Sequence, residues 1–240
     1  MDELSLQYYF EKLDAPMFAE VFAGIQYPWE ALQRKDDILF QFQKSDVKGT
    51  VHPTAIITGL VQIHAGAEIG AHVVIEGPVI IGENTIVRSG ALIRPFTVIG
   101  SNVVIGHSSE IKSSIIMDEV KIASFCFVGD SVLGFGSRLG SFSVTENRRF
   151  DQKEIRFKVN GQVFPTGMDK LGCILGDYAR TGGGCLIAPG TLIGKYSWIY
   201  TDTNVFGFVP KESLVKHRQQ LEVVPKDRTI LERTDAVGNI

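Results

Sequence analysis

Counting in sixes from Val51 gives Val51, Ile57, Ile63, Ile69, Ile75, Ile81, Val87, Ile93, Ile99, Ile105, Ile111, Met117 and Ala123, and none of these is polar. A strict period of six matches neither the 3.6 of a helix nor the 2 of a strand, so the repeat itself is the structural unit. Three hexapeptides make one triangular coil of short parallel strands, with the aliphatic of each side pointing inward. Residues eighteen apart then stack, and successive coils complete each other's backbone hydrogen bonds at roughly 4.8 Å spacing. Gly follows the aliphatic at 70, 82, 100 and 106, where a sharp corner suits a residue that tolerates positive φ. The centre of the chain, 51–210, is therefore predicted to be an all-β solenoid, a parallel β-helix of hexapeptide repeats.

Beyond Ala123 the aliphatics resume at Leu133 and Leu139, out of phase, which predicts a distortion near Ser124 to Gly129. Between Glu146 and Leu171 the hexad vanishes. There Ile155, Phe157 and Val159 alternate ahead of Asn160-Gly161 and Val163, the pattern of an inserted β-hairpin (insert 146–171) thrown out from the side of the solenoid. The count restarts at Leu175, Thr181, Ile187, Ile193, Ile199 and Val205. Without the insert the repeat has length for about seven coils, or about 35 Å of prism. Residues 1–50 read as a short helical cap, from the spacing of Leu4, Tyr8 and Leu13, then Phe18, Val21 and Phe22, then Trp29, Leu32, Ile38 and Phe42, with Pro28 in a first turn. Such a cap is expected to cover the open first coil, an oligomer contact or docking arm being the alternative. In the irregular tail, 211–240, Leu214, Val215, Leu221 and Val223 are expected to cover the last coil and TDAVGNI to fray.

With 44% hydrophobic and 21% charged residues and a net charge of −3, the composition is that of a globular chain without a nucleic-acid partner. MDELSLQYYF is acidic and aromatic rather than a secretory leader, and no run of eighteen apolar residues suggests a membrane span, so a cytoplasmic location is expected. Cys126, Cys173 and Cys185 form no CxxC pair, which argues against a disulfide framework or a zinc knuckle. Cys126, inside SFCFV, reads as a packed core thiol. His52, His64 and His72 lack the spacing of paired metal ligands, and no metal is expected.

The stretch IRPFTVIGSNVVIGHSSEIKSSIIMDEVKIASFCFVGDSVLG, Ile93 to Gly134, carries a more specific signal. It resembles the hexapeptide-repeat left-handed β-helix transferases. It looks like the acetyltransferase half of the bifunctional N-acetylglucosamine-1-phosphate uridyltransferase / glucosamine-1-phosphate acetyltransferase, and more closely still like the C-terminal β-helices of related sugar-1-phosphate nucleotidylyltransferases. The likeness extends over about 51–210, including the hairpin and DKLGCILGD. It implies left-handed winding, against the usual crossover rule, a homotrimer, and acetyl-CoA as co-substrate for N-acetylation of an amino-sugar phosphate at a subunit interface, in the pathway of UDP-N-acetylglucosamine biosynthesis. In that family a His takes the proton of the sugar amine as it attacks the thioester, and basic residues hold the phosphate.

Carried over residue by residue, Arg94 in IRP and Lys112 in SSEIK match the phosphate-binding pair. Lys170 in DKLG matches a further lysine, Asn147 an asparagine near the substrate, and Arg138 stands where the family has another asparagine. Two departures matter more. The catalytic His falls on Ser124 and the tyrosine three residues later on Phe127. A serine hydroxyl has no useful basicity near neutral pH, and loss of a general base costs about 10²- to 10⁴-fold in rate.

His107, 17 residues before Ser124, is a candidate to act through Ser124 or a water, its alternative being a solvated corner residue. Arg94 and Lys112, eighteen apart, should stack, and two stacked cations repel unless an anion lies between them. That anion is either Glu110, making a structural pair, or a ligand phosphate. Gly182 and Gly183, in a run of three glycines, either admit a CoA arm or make a tight corner.

The fifty residues ahead of the repeat are too few for a nucleotide-binding α/β domain, so no uridyltransferase activity is expected. Two readings follow: an acetyltransferase of sugar-nucleotide metabolism, or a protein without that catalysis, either a catalytically impaired trimeric sugar-phosphate-binding or regulatory protein or a partner of a separate nucleotidyltransferase. The acyl-carrier-protein-dependent β-helix acyltransferases of lipid A synthesis also remain open.

Overall fold

In the structure, a computed structural model that describes residues 2–225, short strands between Asp46 and Val215 wind into a three-sided prism. The strands form parallel faces of nine, nine and eight strands. Face 1 runs from Asp46–Val47 to Phe208–Val209, face 2 from Thr50–Val51 to Leu214–Val215, and face 3 from Ile56–Thr58 to Asn204–Val205. The solenoid therefore has about nine turns rather than seven, because it begins ahead of Val51, ends beyond Val209 and shortens its coils midway. Inside, Ile63, Ile75, Ile81, Ile93, Ile99, Ile105 and Ile111 are fully buried in one continuous column.

The predicted register slip is two slips. Ile93 pairs with Ile111, eighteen residues on, but Ile99 pairs with Ile116 and Ile105 with Ile122, one residue fewer. The sides from Ile111 to Ile116 and from Val128 to Leu133 each have five residues, so Ile116 and Ile122 point inward in place of Met117 and Ala123. Both deletions fall at the corner from face 3 to face 1, where Ser113 and Asp130 adopt left-handed φ of 47°. Hydroxyls hold these tight corners. Ser114 Oγ donates to Lys112 O (2.7 Å) and accepts Ser131 N (3.1 Å), while Ser131 Oγ donates to Gly129 O (2.8 Å) and accepts Cys173 N (3.0 Å). Two hydroxyls that enter the column, Thr145 and Thr181, accept Gly129 N and Gly140 N, which satisfies them in an apolar interior.

The strands of face 1 are apolar on both sides. Ile80, Val98, Ile115, Val132, Ile174 and Leu192 point outward yet are buried. Their cover is the N-terminal segment, with α1 (Leu6–Tyr9), α2 (Ala19–Phe22) and α3 (Ala31–Leu39), together with the inserted hairpin. Pro28 opens a 3₁₀ turn, Pro28–Glu30, and Trp29 stacks on Tyr27 (4.6 Å, 5°) and meets Phe157 (4.6 Å). The hairpin forms as predicted, Arg156–Val159 against Gln162–Pro165, with Asn160 and Gly161 both at positive φ. It folds back onto the helices through Ile155, Phe157 and Val159 instead of projecting away.

The helices thus roof one flank of the prism and do not cap its first coil, where Val47 and Ile56 remain exposed. The roof is needed because burying six outward aliphatics stabilises about 1.5–3 kcal/mol each. Asp177 anchors it: its backbone N–H donates to Tyr9 O, and its buried carboxylate accepts Glu11 N (2.6 Å) and Phe135 N (2.7 Å). At the other end Leu214 and Val215 extend face 2, whereas Leu221 and Val223 are exposed and cover nothing. The TDAVGNI segment lies outside the described residues.

Candidate functional site

Arg94 and Lys112 each follow an inward isoleucine at the exit of a face 3 strand, and the strand register sets them on successive coils. Their carbonyls are fixed by Thr97 Oγ1 (2.8 Å to Arg94 O) and by Ser114 Oγ, so hydroxyls inside the corner position both residues. One coil further the same corner brings Gly129 and Asp130, and the next brings Asn147. Arg94 Nη1 donates to Glu110 Oε1 (2.8 Å), and Lys112 Nζ lies 3.3 Å from Asp130 Oδ2. Asn147 Nδ2 donates to the same carboxylate oxygen.

Lys170 reaches this corner because an antiparallel bridge to Arg148 closes the insert's base, and among the described residues it has no ion-pair partner. Arg94, Phe96, Lys112, Ser113, Asp130 and Lys170 line one cleft of about 300 Å³. Three cations against two carboxylates, Asp130 in the cleft and Glu110 on Arg94, leave it a positive hollow. The stacking of Arg94 on Lys112 is neutralised by Glu110 and Asp130, so the unpaired cation of the cleft is Lys170. Asp130 was not singled out from the sequence, although its place one short coil above Ser113 would have found it. Phe127 lies just inside, its ring against Gly129 and near Asn147.

His107 and Ser124 occupy the opposite edge of face 3. The shortened coil puts them in register, and Phe125 N donates to His107 O (2.9 Å). The exposed imidazole, however, turns to the coil below: Nδ1 lies 2.6 Å from Ser89 O, and Nε2 lies 3.1 Å from Ser108 Oγ. Nδ1 facing a carbonyl is the protonated nitrogen, which leaves Nε2 as the lone-pair nitrogen. The ring meets the edge of Phe125 (5.3 Å), which stacks on Phe142 (5.0 Å, 11°). Both phenylalanines are left-handed and about half exposed. Among the described residues no hydrogen bond joins His107 to the Ser124 side chain. The two corners are separated by a full side of the triangle, about 10 Å of strand.

Arg138 does not join the Arg94 cleft. It points outward from face 2, between Lys121 and Arg180. Gly182 and Gly183 follow the next strand of face 2, Arg180–Thr181, and a Cβ on Gly182 would come within 2.6 Å of Thr201 N, so close passage of the next coil itself requires glycine there. Burial pushes the Cys126 thiol up to about 11 and Cys173 up to about 12, which fits inert core thiols. His52 bonds Thr54, and among the described residues no cluster of three metal-ligating side chains occurs. No helix among them is long and apolar enough to cross a membrane.

The chain is 36% identical over 199 residues to the bifunctional protein GlmU of Methanococcus aeolicus, a match covering 83% of this chain and 48% of that protein. It is 41% identical over 93 residues to the bifunctional sugar-1-phosphate nucleotidylyltransferase/acetyltransferase of Sulfurisphaera tokodaii, covering 39% of this chain and 23% of that one. It spans about half the length of the GlmU relatives it matches. A solved structure, the UDP-N-acetylglucosamine acyltransferase LpxA of Bacteroides fragilis, overlays with a TM-score of 0.37 at 18% identity, covering 70% of this chain and 69% of that one. The family model of the GMPPB C-terminal domain matches residues 75–194, from the first roofed coils through the Arg94 corner, the insert and the glycine run, and the chain belongs to that family.

Proposed function

We propose that this chain is a hexapeptide-repeat acyltransferase that N-acetylates an amino-sugar phosphate from acetyl-CoA. The observation that carries this reading is the cleft in which Arg94, Lys112 and Lys170 converge around Asp130 and Asn147. The sugar phosphate sits on Lys170 and Lys112, and Asn147, held by Asp130, presents its amide oxygen to a sugar hydroxyl or amine.

No single chain joins this cleft to a base, since His107 and Ser124 lie a full side away. Face 3 between them is uncovered and largely apolar, with Ile56, Val74, Leu92, Phe127, Val144 and Leu186 in its outward row, interrupted by Glu110 and ended by Asn204. Packing copies against that row as a trimer buries it and brings the Ser124 edge of one chain to the Arg94 edge of the next. His107 Nε2 then serves as the base in place of the family's His, acting through water or Ser124, and the CoA arm runs past Gly182 and Gly183.

Two observations favour a second reading, a binding or regulatory trimer: Ser124 stands where the family has its base, and both His107 nitrogens already have partners. Calorimetric titration with glucosamine-1-phosphate and with acetyl-CoA, paired with an acetyl-transfer assay on wild type and His107→Gln, separates the two. Transfer that drops at least 100-fold in His107→Gln supports the enzyme. Sugar-phosphate binding without acetyl-CoA binding or transfer selects the binder, and absence of sugar-phosphate binding refutes the cleft as its site.

A further inference from the structure

Face 2 carries a ladder that the proposed chemistry does not use. Lys121 pairs in register with Arg138, Arg138 with Arg180, and Arg180 with Trp198, so four consecutive strands present Lys, Arg, Arg and Trp outward at one position. All four are exposed, Trp198 to 56%. Successive strands hold such residues roughly 4.8 Å apart, close enough for like charges to repel. On face 3 the stacked cations Arg94 and Lys112 are each neutralised by a carboxylate. On face 2 they are not, and among the described residues Lys121, Arg138 and Arg180 enter no ion pair.

The ladder lines a cleft of about 400 Å³ with Asn102, Glu119 and Tyr178, in which Glu119 is the sole carboxylate. A second hollow of about 330 Å³ adjoins it through Arg180 and is walled by Trp198, Tyr200 and Thr201 over Gly182. The glycine that the close coil demands leaves that floor low, so a flat group can lie along the indole.

We infer that the Lys121–Arg138–Arg180 ladder binds the diphosphate of a nucleotide, with Trp198 and the Gly182 floor receiving its nucleoside. Two guanidinium forks and a lysine point charge suit adjacent phosphates. An exposed indole one strand further supplies a base-stacking surface. The nucleoside diphosphate has two possible sources, the nucleotide end of coenzyme A or a nucleotide-linked sugar. The site lies on a different face from the Arg94 cleft; its coenzyme A source rests on the acetyl-transfer reading, which runs the CoA arm past Gly182, whereas its nucleotide-sugar source does not.

The test is calorimetric titration with ADP, UDP and inorganic pyrophosphate, alongside Trp fluorescence, in which quenching that is lost in Trp198→Ala reports Trp198 rather than the buried Trp29. ADP or UDP is expected to bind with a Kd below about 1 mM and to quench the fluorescence. Arg138→Gln and Arg180→Gln should each weaken binding at least tenfold. Trp198→Ala should weaken the nucleotides but not pyrophosphate, and Lys158→Gln on the hairpin should change nothing. Glucosamine-1-phosphate binding should survive in Arg138→Gln and Arg180→Gln, which separates failure here from failure at the Arg94 cleft. Acetyl-CoA and UDP-N-acetylglucosamine arms identify the source by whichever binds tighter in a ladder-dependent way. No nucleotide binding below about 1 mM, unchanged binding in both Arg variants, or equal loss in Lys158→Gln overturns the inference.

Discussion

Asp177→Asn tests how the N-terminal roof is tied to the prism. Burial pushes the Asp177 carboxyl up from 3.8 to about 6, with the nearby Glu11 carboxylate acting in the same direction, against the lowering effect of N–H donors from Glu11, Phe135 and Lys12. The groups facing it are Glu11, Lys12, Lys195 and Tyr196, and Glu11 is itself held low by Lys195 and Tyr196. A carboxyl with a raised folded-state pKa binds its proton more tightly in the folded chain than in the unfolded one. Its stabilising contribution is therefore complete below pH 3.8 and is lost as the pH rises through about 6. At 1.36 kcal/mol per tenfold change in proton affinity the whole effect is about 3 kcal/mol, of which about 2 kcal/mol falls between pH 4.5 and 7.5. Urea unfolding of wild type and Asp177→Asn across that window measures it. Wild type should lose about 2 kcal/mol relative to the variant as the pH rises. Asp177→Asn should also be less stable at pH 4.5, since an amide cannot accept from both Glu11 and Phe135 as a carboxyl oxygen pair can. A stability difference that does not change with pH would refute the assignment of burial as the dominant cause.

Lys112→Met should weaken glucosamine-1-phosphate binding at least tenfold by calorimetry, because it removes a cleft cation and the ion-pair partner of Asp130, which then faces the cleft beside Asn147. Ile105→Ala, in the fully buried column, should cost about 2–5 kcal/mol in urea unfolding without changing ligand affinity per folded molecule. Trp29→Ala should cost about 3–5 kcal/mol and render the hairpin near Lys158 cleavable by trypsin, since Trp29 joins Tyr27 to Phe157. Gly106→Ala should cost about 1–3 kcal/mol, as its Cβ would lie 2.5 Å from Ser124 N, a backbone atom that cannot turn aside.

The prism was legible because its inward positions obey one rule, a β-branched residue every sixth place, and the hairpin because Asn160-Gly161 can supply two positive φ values in a row. Met117 and Ala123 were misplaced because both are small or apolar enough to pass for column residues. The five-residue sides are marked only by Ser114 and Ser131, whose hydroxyls replace a missing backbone unit. The roof was misread as an end cap for a different reason. Helical spacing shows that a segment has an apolar side but not what it covers. The answer lay in the outward positions Ile80, Val98, Ile115, Val132, Ile174 and Leu192, apolar on face 1 while face 2 carries Glu68, Lys121 and Arg138. Comparing outward residues face by face would have excluded face 2 and left the apolar faces 1 and 3 as candidates for the covered flank.

The same comparison separates the two kinds of cation column. In a parallel coil any residue type repeated at one register becomes a ladder, and a ladder of like charge is unfavourable unless something of opposite charge accompanies it. At the Arg94 corner the chain supplies that partner itself, because Glu110 and Asp130 are each offset toward the cation on the neighbouring coil. Stacked cations alone therefore do not mark a ligand there; the concavity and unpaired Lys170 do. On face 2 the carboxylates are missing from the ladder while the aromatic neighbour is present, and charge without its partner is the stronger sign that the partner arrives from outside the chain.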